Sequence, residues 1–262
     1  HIQADNFNAN RMYGYTTKNA TTNTPIVSLV RSPAGLDGWP VVGFVGENTA
    51  NSGGSNGWTP VNNNWETVNI ASTGITTQKE GTFEQSRALA DIGILGDEVG
   101  HKVFITNNLS AAVPTWTQLT SAPSSSRYRI ATHAFNENII ALATDNGVYL
   151  SKDKGVSWSK KGNFPESNPL FILMDKEVGE GIYVMTNQNV YYKDEFKSDW
   201  VEFNKALPLM QNQDMRIAYY PDGDSRLYVA KYGRGVWVSP LQSVLDKNGD
   251  KPVADFKIHG TS

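Results

Sequence analysis

The chain has 262 residues, enough for one large domain or two small ones. A chain of this length can form a core that needs no disulfide bonds or structural metal ions. Charged residues make up 19% and aromatic residues 11% of it, and this mixture, rich in Asn, Ser, Thr and Gly, favours strands and polar turns over helices. The net charge of −3 gives a weak field, so we expect neither nucleic acid nor an acidic membrane as a partner.

The chain contains no cysteine, which excludes disulfides, thiol nucleophiles and cysteine-ligated zinc. No apolar run reaches the roughly 20 residues that span a bilayer, and the first residues carry no signal-peptide pattern. Free thiols outside the cell are exposed to oxidation. The absence of cysteine therefore favours a secreted or cell-surface bacterial protein over a cytosolic enzyme.

The N-terminal half shows a loose repeat of strands and polar turns. His1–Tyr15 has a strand, a Phe-Asn turn and a second strand, and a Gly/Asn/Ser-rich insertion follows at Asn48–Asn64. A longer unit covers Trp65–Thr120, with strands predicted near 92–95 and 103–105. Helical periodicity is absent from these segments.

The C-terminal half contains three clear copies of the repeat, at Tyr128–Trp158, Phe171–Trp200 and Met215–Val238. Each copy has three apolar strands separated by polar turns, and a Val-aromatic pair recurs in the third strand at steps of 42 and 46 residues. A tryptophan that opens a short fourth strand recurs every 42 residues, at Trp116, Trp158 and Trp200. Four strands per period of about 42 residues are typical of a propeller blade, with strands near 128–133, 139–144, 147–151 and 158–162 in one blade. The sequence thus predicts an all-β propeller with about five four-stranded antiparallel blades over residues 1–240.

One turn matches the pattern S-x-D-x-G-x-[ST]-W, through Ser151, Asp153, Gly155, Ser157 and Trp158. The carboxylate can accept backbone N–H groups, glycine permits a positive φ, and tryptophan covers the blade edge. The pattern resembles the Asp-box, or BNR repeat, of secreted bacterial β-propellers related to sortilin and the xyloglucanases. The resemblance implies that these residues are structural and lie on the outer rim of the blades.

The last copy of the repeat has three strands and ends in a YGRGVW stretch at 232–237 that resembles the closing blade of such propellers. No fourth strand is apparent after Pro240, which leaves an unpaired edge. We expect a missing upstream propeller segment or a second chain to cover it. The ring would then be larger, of about seven blades, a number within the usual range for propellers.

Two further features follow the repeats. Residues 241–251 are predicted to be a polar linker, and 252–262 resembles the beginning of a PKD-like β-sandwich, with a simple tail as the alternative. Asp246–Asp250 partly matches a calcium-binding loop but lacks its distal glutamate. Apart from this weak structural-calcium pattern, we expect no cofactor.

Motifs for catalysis and metal binding are absent. The four histidines have no zinc-binding spacing, and there is no P-loop, GxSxG or dinucleotide fingerprint. His133, at a strand end beside Phe135, is predicted to be a turn or channel-lining residue. A glycosidase needs only two carboxylates, and the candidates at strand ends and turns are Asp5, Asp91, Asp97, Asp145 and Asp222; each of them also has an ordinary role as a turn residue.

Two functions remain open. The first is a propeller module that binds extracellular polysaccharide or protein through aromatic residues and neighbouring amides, with Trp39, Trp58, Trp65 and Tyr232 as candidate glycan contacts. The second is part of a secreted glycoside hydrolase or polysaccharide lyase of the xyloglucanase type, with its active site completed by missing blades. The catalytic residues of such an enzyme are not identified by the sequence.

Overall fold

The computed structural model describes residues 2–4, 12–16, 28–31, 66–75, 81–221, 223–247 and 256–259. The chain divides into two compact units, His1–Tyr128 and Arg129–Ser262. Within the described residues the strands form five antiparallel sheets, each made of four consecutive strands. The predicted all-β architecture is thereby confirmed, and five sheets agree with the predicted count of about five blades in this chain.

The first two sheets consist of β1 Ile2–Ala4, β2 Met12–Thr16, β3 Ser28–Arg31 and β4 Glu66–Val68, and of β5 Gly81–Gln85, β6 Gly93–Asp97, β7 Lys102–Thr106 and β8 Trp116–Gln118. A 3₁₀ turn at Ala71–Thr73 lies between them in sequence. The third sheet consists of β9 Tyr128–Thr132, β10 Ile140–Thr144, β11 Gly147–Ser151 and β12 Ser159–Lys160. Its strands lie within two residues of their predicted bounds.

The last two sheets consist of β13 Phe171–Met174, β14 Ile182–Met185, β15 Val190–Lys193 and β16 Val201–Glu202, and of β17 Asn212–Ala218, β18 Arg226–Lys231, β19 Gly235–Pro240 and β20 Lys257–Ile258. The α-helix of the described residues is α1, Gln242–Lys247. No helix in this part of the chain is both long and apolar enough to cross a membrane.

Strand β14 shows how the sheets of the second unit pack. Successive side chains of a strand point to opposite faces of its sheet. Ile182 and Val184 accordingly pack in one apolar cluster, against β10 and β11, while Tyr183 and Met185 pack in another, against β17 and β18. All four side chains are buried, so this sheet is covered on both faces.

Two of the recurring tryptophans connect neighbouring sheets through their indole N–H groups. Trp200, just before β16, donates to the main-chain oxygen of Lys161, just after β12, at 2.6 Å. Trp116 at the start of β8 donates to the oxygen of Asn69, just after β4, at 2.9 Å. Each unit therefore has one sheet-to-sheet hydrogen bond from a recurring tryptophan, whereas the indole of Trp158, between them in the series, bonds the Gly155 oxygen within its own turn.

Replacing Trp200 by phenylalanine tests this hydrogen bond. The ring contact with Phe164, at 5.0 Å between centroids, is retained while the N–H is lost. We expect Trp200→Phe to lower the free energy of unfolding by about 1 kcal/mol, measured by urea denaturation. Trp237→Phe is the matched control, because that indole bonds the exposed Arg234 oxygen within its own turn. Equal losses in both variants would contradict the proposed role.

The last sheet has a fourth strand from the same chain. β20 pairs with β19 through Trp237 with Ile258 and Val238 with Lys257. The prediction that this sheet lacks a fourth strand is therefore wrong. The expectation that a missing upstream segment or a second chain must cover the β19 edge is also wrong. Lys257 and Ile258 of the same chain pair with β19, and His259, the next residue, donates its N–H to the Val236 oxygen at 2.7 Å.

The segment after β19 is packed rather than exposed. Leu241 and Leu245 belong to the apolar cluster formed by the last two sheets, which corrects the predicted polar linker over 241–247. Phe256 is 2% exposed and lies edge-on to Phe203, 5.8 Å between ring centroids. Phe256 and β20 therefore belong to the last blade rather than to a separate PKD-like sandwich; residues 248–255 and 260–262 lie outside the described residues.

Phe256 should hold β20 in place. Truncating a buried phenylalanine removes its burial and leaves a cavity. We expect Phe256→Ala to lower the free energy of unfolding by about 3–5 kcal/mol, measured by urea denaturation. His259→Ala, three residues away, removes only an edge-on contact with Tyr228, 5.3 Å between ring centroids, and should lower it by at most about 1.5 kcal/mol. A loss below about 1 kcal/mol for Phe256→Ala would show that this segment adds little to the blade.

Candidate functional site

The turn between β11 and β12 is closed by its own side chains. Asp153 Oδ1 accepts the Ser157 N–H at 2.8 Å, and Oδ2 accepts the Ser157 hydroxyl at 2.5 Å. Ser151 Oγ donates to Asp153 Oδ1 at 2.8 Å and accepts the Gly155 N–H at 2.7 Å. Gly155 has a φ of 87°, and the Trp158 indole donates to its oxygen at 3.1 Å. This geometry is that of a self-contained turn, and it supports a structural role.

The network also shifts the ionisation of Asp153. Hydrogen bonds from the Ser157 hydroxyl and amide and from the Ser151 hydroxyl hold the pKa of Asp153 below its ordinary value of 3.8. Because the pKa is lower in the folded chain, this stabilisation is complete above the unfolded value and is lost as the pH falls through the folded one.

We therefore expect Asp153→Ala to lower the melting temperature at pH 7, because donors in the turn lose their acceptor. The difference from the parent chain should shrink as the pH falls below about 4. Thermal melts across this pH range measure both effects. Val156→Ala, in the same turn and 73% exposed, is the control. A difference that stays constant down to about pH 2, below the usual range of a carboxyl pKa, would contradict the role of the carboxylate.

Three segments meet at one end of the last two sheets. Asn212 N–H donates to the Asn187 oxygen at 2.7 Å, and Tyr232 N–H donates to the Gln211 oxygen at 2.9 Å. These bonds join the β14–β15 turn, the segment before β17 and the β18–β19 turn. We call this surface the Tyr232 edge, and its exposed members are Asn187, Gln188, Leu209, Gln211, Tyr232 and Arg234.

A buried lysine supports the Tyr232 edge from below. Lys231 is 3% exposed, and its ammonium donates to the main-chain oxygens of Gln188 at 3.0 Å and Met210 at 3.2 Å. Burial lowers the pKa of Lys231. The Asn212 amide adds a bond of 2.9 Å to the Thr186 oxygen. These contacts fix the main chain under the exposed Tyr232 ring.

A carboxylate lies in the same hydrogen-bond network. Glu166 Oε1 accepts the Tyr191 hydroxyl at 2.6 Å and the Asn189 side-chain amide. Burial opposes ionisation here, but hydrogen bonds from Thr186, Tyr191 and Asn189 hold the pKa of Glu166 below its ordinary value. Asn189 Oδ1 in turn accepts the Asn204 amide at 2.8 Å. The arrangement favours an ionised acceptor beside the β14–β15 turn.

The opposite end of these sheets has a different composition. His133, Asp175 and Tyr219 each follow the first strand of a sheet, after β9, β13 and β17. The Tyr219 hydroxyl lies 3.4 Å from Asp175 Oδ1 and accepts the Lys176 N–H at 2.8 Å. Equivalent positions of three successive blades thus carry an imidazole, a carboxyl and a phenol.

The residues predicted from the sequence have different outcomes. Tyr232 is exposed, as a glycan contact requires, whereas Trp39, Trp58 and Trp65, and the candidates Asp5 and Asp222, lie outside the described residues. Asp91 accepts the Ser110 N–H, Asp97 accepts the Val99 and Gly100 N–H groups, and Asp145 lies in the β10–β11 turn. The structure therefore favours turn roles for these three.

The calcium-like segment is partly described. Asp246 lies in α1, where its Oδ1 accepts the Gln242 amide at 2.8 Å and Lys197 Nζ lies 3.6 Å from its Oδ2. The remaining positions, 248–250, lie outside the described residues, and the site stays a prediction. The part of the chain that the structure describes holds no group of three or more histidine, cysteine or acidic residues arranged for a metal ion.

Sequence reasoning missed the residues that organise both ends of the sheets. Lys231 and Asn212 are opposite each other in the β17–β18 register, and Asp175 is equivalent to His133 in the repeat. A column-by-column comparison of the three repeats would have drawn attention to the residue after each first strand. The partners of Lys231 and Glu166 are distant in sequence and carry no comparable signal.

Comparison with known proteins identifies the fold. No family model and no curated protein matches the chain. Among solved structures, an ancestral GH74 enzyme has a TM-score of 0.61 and 13% identity, covering 98% of this chain and 32% of its own. YCF48 bound to the D1 peptide has a TM-score of 0.51 and 14% identity, covering 87% and 59%. A GH74 xyloglucanase from Xanthomonas campestris gives 0.46 and 19%, covering 61% and 29%.

The first two similarities show that this chain has the β-propeller fold with four-stranded antiparallel blades. At these identities they show the fold alone. The chain spans about a third of the ancestral GH74 enzyme and about three fifths of YCF48.

Proposed function

We propose that the chain is a ligand-binding Asp-box propeller module of a larger secreted or cell-surface bacterial protein, and that it binds extracellular glycan at the Tyr232 edge. The main support for this proposal is that the Tyr232 ring is 65% exposed while the main chain beneath it is fixed by hydrogen bonds. Lys231 donates to the Gln188 oxygen, and the Tyr232 N–H donates to the Gln211 oxygen. The turn at Ser151–Trp158 supports the Asp-box resemblance by its geometry.

The chemistry of the edge suits a sugar. An exposed aromatic ring stacks on the apolar C–H face of a pyranose, and side-chain amides both donate to and accept from hydroxyl groups. Asn187, Gln188 and Gln211 supply such amides around Tyr232, and Leu209, 83% exposed, extends the apolar surface. A protein ligand would use the same residues, so peptide binding is one of the outcomes that the experiment distinguishes.

The alternative is a glycoside hydrolase or polysaccharide lyase, since one of the similar structures is an ancestral GH74 enzyme. Glycoside hydrolysis needs a general acid with a raised pKa beside a second carboxylate. At the Tyr232 edge the pKa of Glu166 is lowered instead. This observation favours binding over hydrolysis at that edge.

Substitution of Tyr232 tests the proposal. Against a panel of neutral soluble polysaccharides that includes xyloglucan, we expect the parent chain to bind at least one member, and Tyr232→Ala to bind it about tenfold more weakly, equivalent to about 1.4 kcal/mol. Affinity electrophoresis followed by calorimetry measures the change. Phe196→Ala is the matched control, since Phe196 is 84% exposed but follows β15 at the other end of its sheet.

Three outcomes would contradict the proposal. One is binding that Phe196→Ala weakens as much as Tyr232→Ala does. Another is release of reducing or unsaturated sugar ends during incubation, which would establish the enzyme alternative. The third is capture of no polysaccharide together with Tyr232-dependent binding of a peptide, which would identify a protein ligand.

A further inference from the structure

A cluster of polar and aromatic residues lies at the opposite end of the sheets from the Tyr232 edge. It consists of His133, Phe135, Asp175, Lys176 and Tyr219, and we call it the His133 cluster. Its members come from the segments after β9, β13 and β17, so the stacking of three successive sheets brings them together.

The histidine has a donor that no described residue accepts. His133 Nδ1 accepts the Phe135 N–H at 3.2 Å, so the proton of the neutral ring resides on Nε2. Burial lowers the pKa of His133, which favours this neutral form. Nε2 is buried and has no hydrogen-bond partner among the described residues. Buried polar atoms are rarely left unpaired in folded proteins, so this N–H calls for an acceptor.

The lysine in the cluster has no anionic partner among the described residues. Lys176 Nζ lies 4.1 Å from the centroid of the Tyr219 ring and 6.0 Å from that of Phe135. No acidic side chain of the described residues forms an ion pair with it. The two rings hold the ammonium in place by cation–π attraction without neutralising its charge.

The carboxyl of Asp175 is committed elsewhere. Its Oδ2 accepts the Ser243 hydroxyl of α1 at 2.7 Å, and its Oδ1 accepts the Glu177 N–H at 2.9 Å. Burial raises the pKa of Asp175, and the Tyr219 hydroxyl of the cluster also lies 3.4 Å from Oδ1. The cluster therefore combines an ammonium, an N–H donor and aromatic rings with a carboxyl whose two oxygens already accept hydrogen bonds from the chain.

We propose that the His133 cluster is a second ligand site and that it binds the carboxylate of a uronic acid residue in an acidic polysaccharide. One carboxylate oxygen pairs with Lys176 Nζ, and the other accepts the N–H of His133 Nε2. The Phe135 ring, 74% exposed and 6.2 Å edge-on from the His133 ring, lies against the sugar.

The charge of the cluster selects this ligand. One ammonium and one neutral N–H match a single negative charge shared by two oxygens, which is the pattern of a carboxylate. A phosphate dianion would need more than one cation to offset its desolvation. The exposed Phe135 ring adds a hydrophobic surface for the C–H face of the same sugar.

Calorimetric titration of the full 262-residue chain tests the proposal. The ligands are tetragalacturonate and oligoglucuronate, and each is compared with its methyl ester. We expect at least one acid to bind and its ester to bind about tenfold more weakly or not at all. Lys176→Met and His133→Ala should each reduce the affinity by about tenfold. Tyr232→Ala and Lys205→Met, an exposed lysine on the segment before β17, should leave it unchanged, which separates this site from the Tyr232 edge.

Lys176→Met changes a partly exposed side chain and keeps the proposal testable if the histidine variant fails to fold; a melting curve shows whether each variant is folded. Equal binding of acid and ester, binding that survives Lys176→Met, or no binding of either acid at millimolar concentration would overturn the proposal. Binding of a glutamate-rich peptide in place of the sugars would also overturn it, and would identify an acidic protein ligand.

Discussion

The third and fourth sheets, which belong to the second unit, contain strands that are apolar on both faces, and the packing of that unit depends on them. In an isolated four-stranded sheet, one face can remain in water, and its strands then alternate between apolar and polar residues. β10 and β14 instead are buried at every position. Ile182 and Val184 need one neighbouring sheet, and Tyr183 and Met185 need the other. Stacking of successive sheets is the arrangement that satisfies both faces.

Stacking also determines where chemistry can occur. Because the interiors of strands such as β10 and β14 are filled with apolar side chains, many of the polar and charged residues lie at the ends of the strands. The two ends differ in the second unit. At the Tyr232 edge, a buried cation bonds main-chain oxygens beneath exposed amides and an aromatic ring. At the other end, equivalent positions of successive sheets place an imidazole, a carboxyl and a phenol near one another.

The blades could be predicted from the sequence because a 42-residue period repeats both the apolar strands and the tryptophan that precedes the fourth strand. The fourth strand of the last sheet could not be predicted. β20 has only two residues, Lys257 and Ile258, both exposed, and it follows a helix and a segment with no counterpart in the other repeats. The sequence pattern around Phe256 resembles the start of another domain. The sequence does not reveal that Phe256 is buried against Phe203, because that residue is 53 positions away in the chain.

The candidate sites also combine residues that the sequence reveals with residues whose roles depend on contacts distant in the chain. Tyr232 is predictable because aromatic residues in polar turns are visible in a sequence. Lys231, its neighbour, resembles any charged residue at a strand end, and its burial becomes apparent only when the Gln188 and Met210 oxygens are placed around it. The sequence predicts a turn or channel position for His133. The absence of a partner for its Nε2 within the described part of the chain, and the nearby Lys176 ammonium, become apparent only when separate blades are placed side by side.

Main-chain oxygens accept several of the hydrogen bonds that connect one sheet to the next. The indoles of Trp116 and Trp200, and the ammonium of Lys231, all donate to carbonyl groups. A carbonyl is present whatever side chain its residue carries, so each connection constrains one residue rather than a pair. The side chains at the acceptor positions are then free to change.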